Sequence, residues 1–178
     1  MAYGILFPDE ARRIVSISAG VHAQPFAISL RSIQRDAIRL DPDWQGGSYP
    51  KEKPPARGMR LARKLGVTSY RSPGEWNERF GRKHVTPPPA DPWGTRFEIE
   101  SYLEHMAEKF VDQFDANCYL YLSRAMDLFD IADHGTSLVN ALAKLRNSRV
   151  RVIGVESDIL FPVEQQRTLA AALNEADE

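Results

Sequence analysis

The sequence has little of what would tie a chain to a membrane, to nucleic acid or to an oxidising compartment. Its 178 residues include one cysteine, Cys118, which excludes an internal disulfide and lacks the paired spacing of a zinc site. The formal net charge is −1, so no basic surface for nucleic acid or anionic lipid is indicated. No run reaches the roughly 18 apolar residues that span a bilayer, and no signal-peptide pattern opens the chain. We therefore expect a cytoplasmic protein without membrane or nucleic-acid partners.

Two β-branched runs lie towards the ends of an otherwise ordinary globular composition, with 43% hydrophobic residues. Residues 13–20 and residues 149–155 carry apolar side chains on both parities, which predicts strands buried on both faces. The second run stops at Glu156, Ser157 and Asp158. Ligands of open α/β sheets bind beyond the carboxyl ends of the strands, so these residues are predicted to face a ligand. A solvated loop or a helix cap is the alternative interpretation of such an acid.

About 130 residues between these strands show helical periodicity and helix start signals. Two buried strands do not make a stable sheet, so something else must cover or extend them. The pattern predicts an α/β sheet with a large helical cap inserted after one strand. The core would comprise residues 1–21 and 149–178, and the cap residues 22–148. Helices are predicted at residues 25–40, 58–65, 73–80, 97–114, 116–129, 137–147 and 163–174, with residues 84–94 as a linker and Gly66 closing the second helix.

Five stretches of the sequence carry a family resemblance: residues 35–47, 58–70, 97–110, 114–122 and 157–162. In this order they resemble the homoserine O-acetyltransferase family, which includes the serine and homoserine O-succinyltransferases. The resemblance covers nearly the whole chain and implies part of an α/β-hydrolase fold. It also implies transfer of an acyl group from acyl-CoA to the hydroxyl of serine or homoserine, in methionine or cysteine synthesis. Acyl-CoA would be a co-substrate, with no bound cofactor or metal.

The resemblance implies roles for four residues. Asp158 matches the acid of a Ser-Asp-His triad, which holds the histidine in the right tautomer and stabilises its positive charge. Arg63 matches the arginine that holds the substrate amino acid, and its guanidinium suits a carboxylate. Leu160 is apolar, which suits a short acetyl donor. Arg31 lies where serine O-succinyltransferase-like members carry a charge for the donor's distal carboxylate, and the balance slightly favours succinyl.

The chain departs from the family at the other two triad positions. The nucleophilic serine belongs on a Gly-x-Ser-x-Gly turn before the helix in which Met1 already lies. The catalytic histidine should follow Asp158, whereas every histidine of this chain precedes it. The resemblance therefore implies a central fragment that is inactive alone. The histidines, interpreted as loop or cap residues, are His22, His84, His105 and His134.

A non-enzymatic alternative is a helical interaction module derived from the cap. The family dimerises through this region, so a homodimer is expected, and the apolar stripes of the cap would offer the contact surface. Tyr119 and Tyr121 are interpreted as core or subunit contacts, with a tunnel lining as the alternative. Cys118 has no histidine at a recognised partner position and is interpreted as a small buried residue.

Overall fold

A computed structural model of the chain describes residues 1–111 and 113–177, without the side chain of residue 177. These residues form a mainly helical structure with one pair of strands. The strands are β1 (Arg13–Ile17) and β2 (Arg149–Ile153). The helices are α1 (Ala2–Leu6), α2 (Pro25–Arg39), α3 (Ala56–Thr68), α4 (Pro73–Phe80), α5 (Glu98–Val111), α6 (Ala116–Leu128), α7 (Leu138–Leu142) and α8 (Val163–Asp177). Short 3-10 turns occur at Pro42–Gly47, Ala132–His134 and Ala143–Leu145.

The chain divides into two compact units. The first comprises residues 1–27 and 125–178, and the second comprises residues 28–124. Residues 125–148, which the sequence assigned to the cap, lie with the strands, because Ile131, Leu142 and Leu145 belong to the core of the first unit. The role of residues 22–148 as a cap stays a prediction.

The sheet of the first unit is covered on one face. The strands are parallel, with Ile14 opposite Val150 and Ser16 opposite Val152, and this face packs on the core formed with α1, α7 and α8. Val15 and Ile17 point to the other face and are 59% and 62% exposed. The prediction of strands buried on both faces is therefore wrong for the described residues, since helices pack against one side only.

The second unit is built on the close packing of α2, α3 and α5. Its core contains Ile38, Met59, Ala62 and Ala116. A Cβ at Gly58 would lie 2.5 Å from the carbonyl oxygen of Ala37, so glycine is needed where α3 crosses the end of α2. Ion pairs of Arg60 and Lys64 with Glu104 join α3 to α5.

One buried carboxylate, that of Asp41, joins the end of α2 to the start of α3. Its Oδ1 accepts a hydrogen bond from the backbone N–H of Asp43 at 3.0 Å, and its Oδ2 accepts one from Gly58 at 2.8 Å. Because helix starts have unpaired N–H groups, the same side chain satisfies both the 3-10 turn and α3.

Several helix ends agree with their sequence signals. Ser72 and Ser137 cap α4 and α7 as the sequence indicates, and Asp115 caps α6 by accepting the N–H of Cys118. Gly66 lies inside α3 instead of closing it, and Cys118 is exposed instead of buried. Helix α5 ends at Val111; the predicted continuation passes through residue 112, outside the described residues, to a turn at residues 113–114. No described helix combines the length and the apolar content needed to cross a bilayer.

Candidate functional site

Asp158 lies in the loop that leaves the carboxyl end of β2, as the sequence predicts. Its Oδ1 accepts hydrogen bonds from the backbone N–H groups of Leu160 and Phe161, both at 2.9 Å, and its own N–H donates to the carbonyl of Val155. The loop thus orients the carboxylate. Its Oδ2 makes no hydrogen bond with a described residue, so it is available to hold the N–H of an imidazole.

The loop of Asp158 is tied to the segment that follows β1. Gln166, in the first turn of α8, donates from Nε2 to the carbonyls of Ala19 at 3.4 Å and Phe161 at 3.2 Å. Beside it, Gln165 is 4% exposed, and neither polar atom of its side chain has a hydrogen-bond partner among the described residues. The sequence reasoning missed both glutamines, although two consecutive amides in the first turn of a helix after an acid are an unusual polar pair.

Arg63 lies on α3 between aromatic rings. Its guanidinium carbon is 4.5 Å from the centroid of Phe110 and 5.3 Å from that of Tyr70, and its Nη1 donates to the hydroxyl of Tyr70 at 2.9 Å. The Nε atom is buried without a partner, and no carboxylate pairs with this guanidinium among the described residues. Such a cation has unused donors in a partly desolvated place, which suits an incoming carboxylate.

The phenol of Tyr119, in the second unit, is buried and feels the charge of three arginines. Burial raises the pKa of its phenol to about 12, Tyr70 adds to the rise, and the positive charges of Arg63, Arg31 and Arg35 oppose it. The phenol is therefore protonated at neutral pH and can donate a hydrogen bond. We call Arg31, Arg35, Arg63, Tyr70 and Tyr119 the arginine–tyrosine cluster.

The remaining predicted site residues lie as follows. Arg31 lies on α2, as predicted, and is buried, with 7% of its surface exposed. Leu160 is half-buried in the loop of Asp158. Tyr121 is 79% exposed, unlike Tyr119.

The histidines are spread over both units. His22 lies 3.7 Å from a carboxylate oxygen of Asp130, the ring of His84 packs on Phe97, and that of His134 packs on Phe129. His105 lies within α5, a helix of the predicted cap region. Among the described residues, no group of three histidine, cysteine or acidic side chains has the arrangement of a metal site.

Comparisons with known proteins identify what the chain is similar to. No family model matches it. It is 50% identical over 99% of its length to the serine O-succinyltransferase of Litchfieldella anticariensis and 51% identical over 97% to that of Stenotrophomonas maltophilia. It covers 49% and 48% of those proteins, so the chain spans about half the length of the curated relatives it matches.

Solved structures agree on the fold. The homoserine O-acetyltransferase from Bacillus anthracis superposes with a TM-score of 0.85 at 22% identity, over 99% of this chain and 47% of that one. Esterase E22 superposes with a TM-score of 0.81 at 23% identity, over 98% of this chain and 48% of that one. The chain therefore has part of an α/β-hydrolase fold, as predicted.

The sequence relatives are more specific than the α/β-hydrolase fold, because they share a named acyltransferase activity. Over the half of their length that it spans, the chain resembles the serine O-succinyltransferases at about 50% identity, and its fold is that of a homoserine O-acetyltransferase. The resemblance inferred from the sequence is confirmed.

Proposed function

We propose that the chain forms part of an acyl-CoA-dependent O-acyltransferase that acts on the hydroxyl of L-serine or L-homoserine. An enzyme serine takes the acyl group from the thioester and releases CoA, and the amino-acid hydroxyl then attacks the acyl-enzyme and leaves as an ester. The relatives named serine O-succinyltransferase support this chemistry. The proposal assigns the nucleophilic serine and the histidine base to the part of those proteins that this chain does not span.

The environment of Arg63 carries the proposal. Its guanidinium packs on the rings of Phe110 and Tyr70, while no described carboxylate neutralises it. Burying an ion without a partner is costly, so the α-carboxylate of an amino-acid substrate would supply the missing charge. The hydroxyl of Tyr70 holds one nitrogen of the fork, which fixes the plane in which a carboxylate can form two parallel hydrogen bonds.

Asp158 is proposed to be the triad acid. Two backbone N–H groups hold its Oδ1, so Oδ2 can accept the Nδ1–H of the catalytic histidine without reorienting the side chain. The carboxylate would fix the tautomer that leaves Nε2 free to take the proton of the nucleophile, and it would stabilise the imidazolium that results.

The proposed donor is succinyl-CoA. Arg31 is buried on α2 and its charge acts on the phenol of Tyr119, and a guanidinium is suited to the distal carboxylate of a succinyl group. The apolar Leu160 is the feature that would suit an acetyl donor instead. The relatives that are about 50% identical are named serine O-succinyltransferases, which favours succinyl-CoA as the donor and serine as the acceptor.

A hybrid enzyme tests the proposal. Residues 1–178 replace the matching half of the Stenotrophomonas maltophilia relative, and CoA release is measured with succinyl-CoA or acetyl-CoA and with serine or homoserine. We expect succinyl-CoA with serine to turn over fastest. Replacing Arg63 with lysine should raise the KM for the amino acid, whereas the exposed Arg57→Lys should not. No turnover in any combination, or an unchanged KM for Arg63→Lys, contradicts the proposal.

The chain by itself provides the complementary test. We expect it to release no CoA above background, because the acid of a triad only orients and stabilises the base. Clear turnover by the purified chain would show that the nucleophile and the base have been assigned to the wrong part of the family.

We also propose that the chain forms a homodimer through its helical region. The same contact would serve the alternative function, a non-catalytic interaction module. Helix α6 exposes four large apolar side chains, those of Tyr121, Leu122, Met126 and Leu128, and exposed apolar surface of this kind marks interaction sites. Light scattering on the purified chain should give the mass of a dimer. A monomer, or a dimer that Met126→Lys does not weaken, contradicts this contact.

A further inference from the structure

The second unit contains a pocket whose lining does not include Arg63, the proposed substrate-binding arginine. Its volume is about 610 Å³, which lies in the range of small-molecule sites. One wall is a face of α2 with Arg35 and Arg39, the opposite wall is a face of α6 with Arg124, and the floor is the turn from Trp44 to Ser48.

The pocket is positively charged although the chain is not. Arg35, Arg39 and Arg124 line it with one acid, Asp36, so the lining carries a formal charge of +2 against −1 for the whole chain. Asp36 lies 3.6 Å from a nitrogen of Arg39. Arg124 is exposed, and Nη1 of Arg35 donates a hydrogen bond to Oγ of Ser123 at 2.9 Å. Arg35 and Arg39 are one helical turn apart, a spacing at which like charges repel.

The floor of the pocket is held in place by side chains. The indole N–H of Trp44 donates to Oδ1 of Asn117 at 3.1 Å, and Nδ2 of Asn117 donates to the carbonyl of Gly47 at 2.9 Å. The guanidinium of Arg39 lies 6.0 Å from the centre of the Trp44 ring. A fixed aromatic surface next to guanidinium groups suits a ligand that combines a flat ring with anionic groups.

We propose that this pocket binds a phosphorylated ligand, namely the adenine nucleotide end of acyl-CoA. This inference rests on the proposed function, because acyl-CoA is the co-substrate there. Guanidinium forks bind phosphate oxygens in pairs, so Arg39 and Arg124 hold the phosphates from opposite walls. The adenine packs against the exposed side of Trp44. A free phosphate ion has the same charge chemistry but would fill little of the volume.

Calorimetry with the purified chain tests the pocket without any catalytic step. The probes are adenosine 3′,5′-bisphosphate, adenosine and inorganic phosphate. We expect the bisphosphate to bind more tightly than either of the others, and more weakly as the NaCl concentration rises. Arg124→Ala should weaken bisphosphate binding by about tenfold, the size of one lost charge-assisted contact. Arg57→Ala removes the same charge from an exposed position of the second unit outside the pocket, and it should leave binding unchanged.

Three results overturn the inference. They are no binding of the bisphosphate, equal weakening by Arg124→Ala and Arg57→Ala, and binding of inorganic phosphate as tight as that of the bisphosphate. Circular dichroism of both variants verifies their folding, and the exposed position of Arg124 makes it tolerant of substitution.

The hybrid enzyme separates this inference from the proposed function. Turnover with a donor KM that Arg124→Ala leaves unchanged overturns the pocket and keeps acyl transfer. If the hybrid enzyme does not turn over but the chain binds the bisphosphate in a way that depends on Arg124, the proposed acyl transfer is overturned. The proposed phosphate site is then kept.

Discussion

The two compact units differ in how much of their surface is covered and in how their elements are joined. In the first unit, one sheet face exposes Val15 and Ile17. In the second unit, side-chain bonds connect successive helices, as that of Asp41 does between α2 and α3. The proposed acid, Asp158, therefore lies in a unit with an uncovered sheet face. The proposed substrate-binding arginines, Arg63 and Arg31, lie in a unit whose helices are joined by side-chain hydrogen bonds.

The largest expected effect concerns the acid of the first unit. Asp158→Asn in the hybrid enzyme should lower kcat by about 10⁴-fold, because an amide cannot stabilise the imidazolium and favours the wrong tautomer. The amide oxygen still accepts the N–H groups of Leu160 and Phe161, so the thermal unfolding temperature should hardly change. Steady-state kinetics and calorimetry measure the two quantities.

Glu156→Gln is the matched control, since this exposed carboxyl lies two residues earlier in the same loop. An equal loss of kcat in both variants would contradict the assignment of Asp158 as the triad acid. The first unit would then have no assigned catalytic residue.

The second prediction compares the interiors of the two units. Ile38→Ala, in the core of the second unit, should lower the free energy of unfolding by about 2–5 kcal/mol, because it leaves a cavity. Val15→Thr, on the uncovered sheet face, keeps the β-branched shape and should change it by less than about 0.5 kcal/mol. Urea unfolding measures both values, and a large loss for Val15→Thr would show that this face is covered in solution.

The third prediction concerns the support of Arg63. Tyr70→Phe removes the hydroxyl that accepts from Nη1 of Arg63, which is worth about 0.5–1.5 kcal/mol for one hydrogen bond. The KM of the hybrid enzyme for its amino acid should rise by a factor of about two to ten, with little change in the KM for acyl-CoA. Tyr3→Phe, at an exposed position of the first unit, is the control. A rise confined to the acyl-CoA KM would place Tyr70 with the donor.

The smallest expected effect is a titration. Tyr119 has a pKa of about 12, mainly through burial, so it should be among the last phenols to ionise when absorbance is followed against pH. The folded state holds this proton above the ordinary tyrosine pKa, so its contribution to stability is present below pH of about 10 and is lost as pH rises towards 12. Tyr119→Phe should remove the late step, and a late step that persists would assign it to another tyrosine.

Local signals predicted most of the fold. Serine and aspartate before apolar periodic segments gave the starts of α4, α6 and α7, because a cap depends on residues within one turn. Gly66 was misassigned as a helix end since its reason is tertiary: an added Cβ would lie 2.9 Å from Nε2 of Gln34 on α2. The faces of the strands were misassigned because β-branched residues on both parities do not tell which face is covered.

The candidate site was predictable where it depends on a motif and not where it depends on packing. Asp158 follows its strand in the sequence, so its place at the carboxyl end could be inferred. The ring of Phe110 lies against Arg63 only because α3 packs on α5, and no local pattern contains that contact. The hydrogen bond between Arg63 and Tyr70 joins a residue inside α3 to one just beyond its end. The sequence predicted a shorter helix than α3, so this contact was not foreseen.

The double cap made by Asp41 has a practical consequence for labelling the protein. This carboxylate binds the start of the turn after α2 and the start of α3, and neither bond involves the residues around position 51. Lys51 and Glu52 are exposed there, so a peptide tag or a fluorophore inserted between them should be tolerated. Such a reporter would sit in the same unit as Trp44 and would give an optical signal when that unit takes up a ligand.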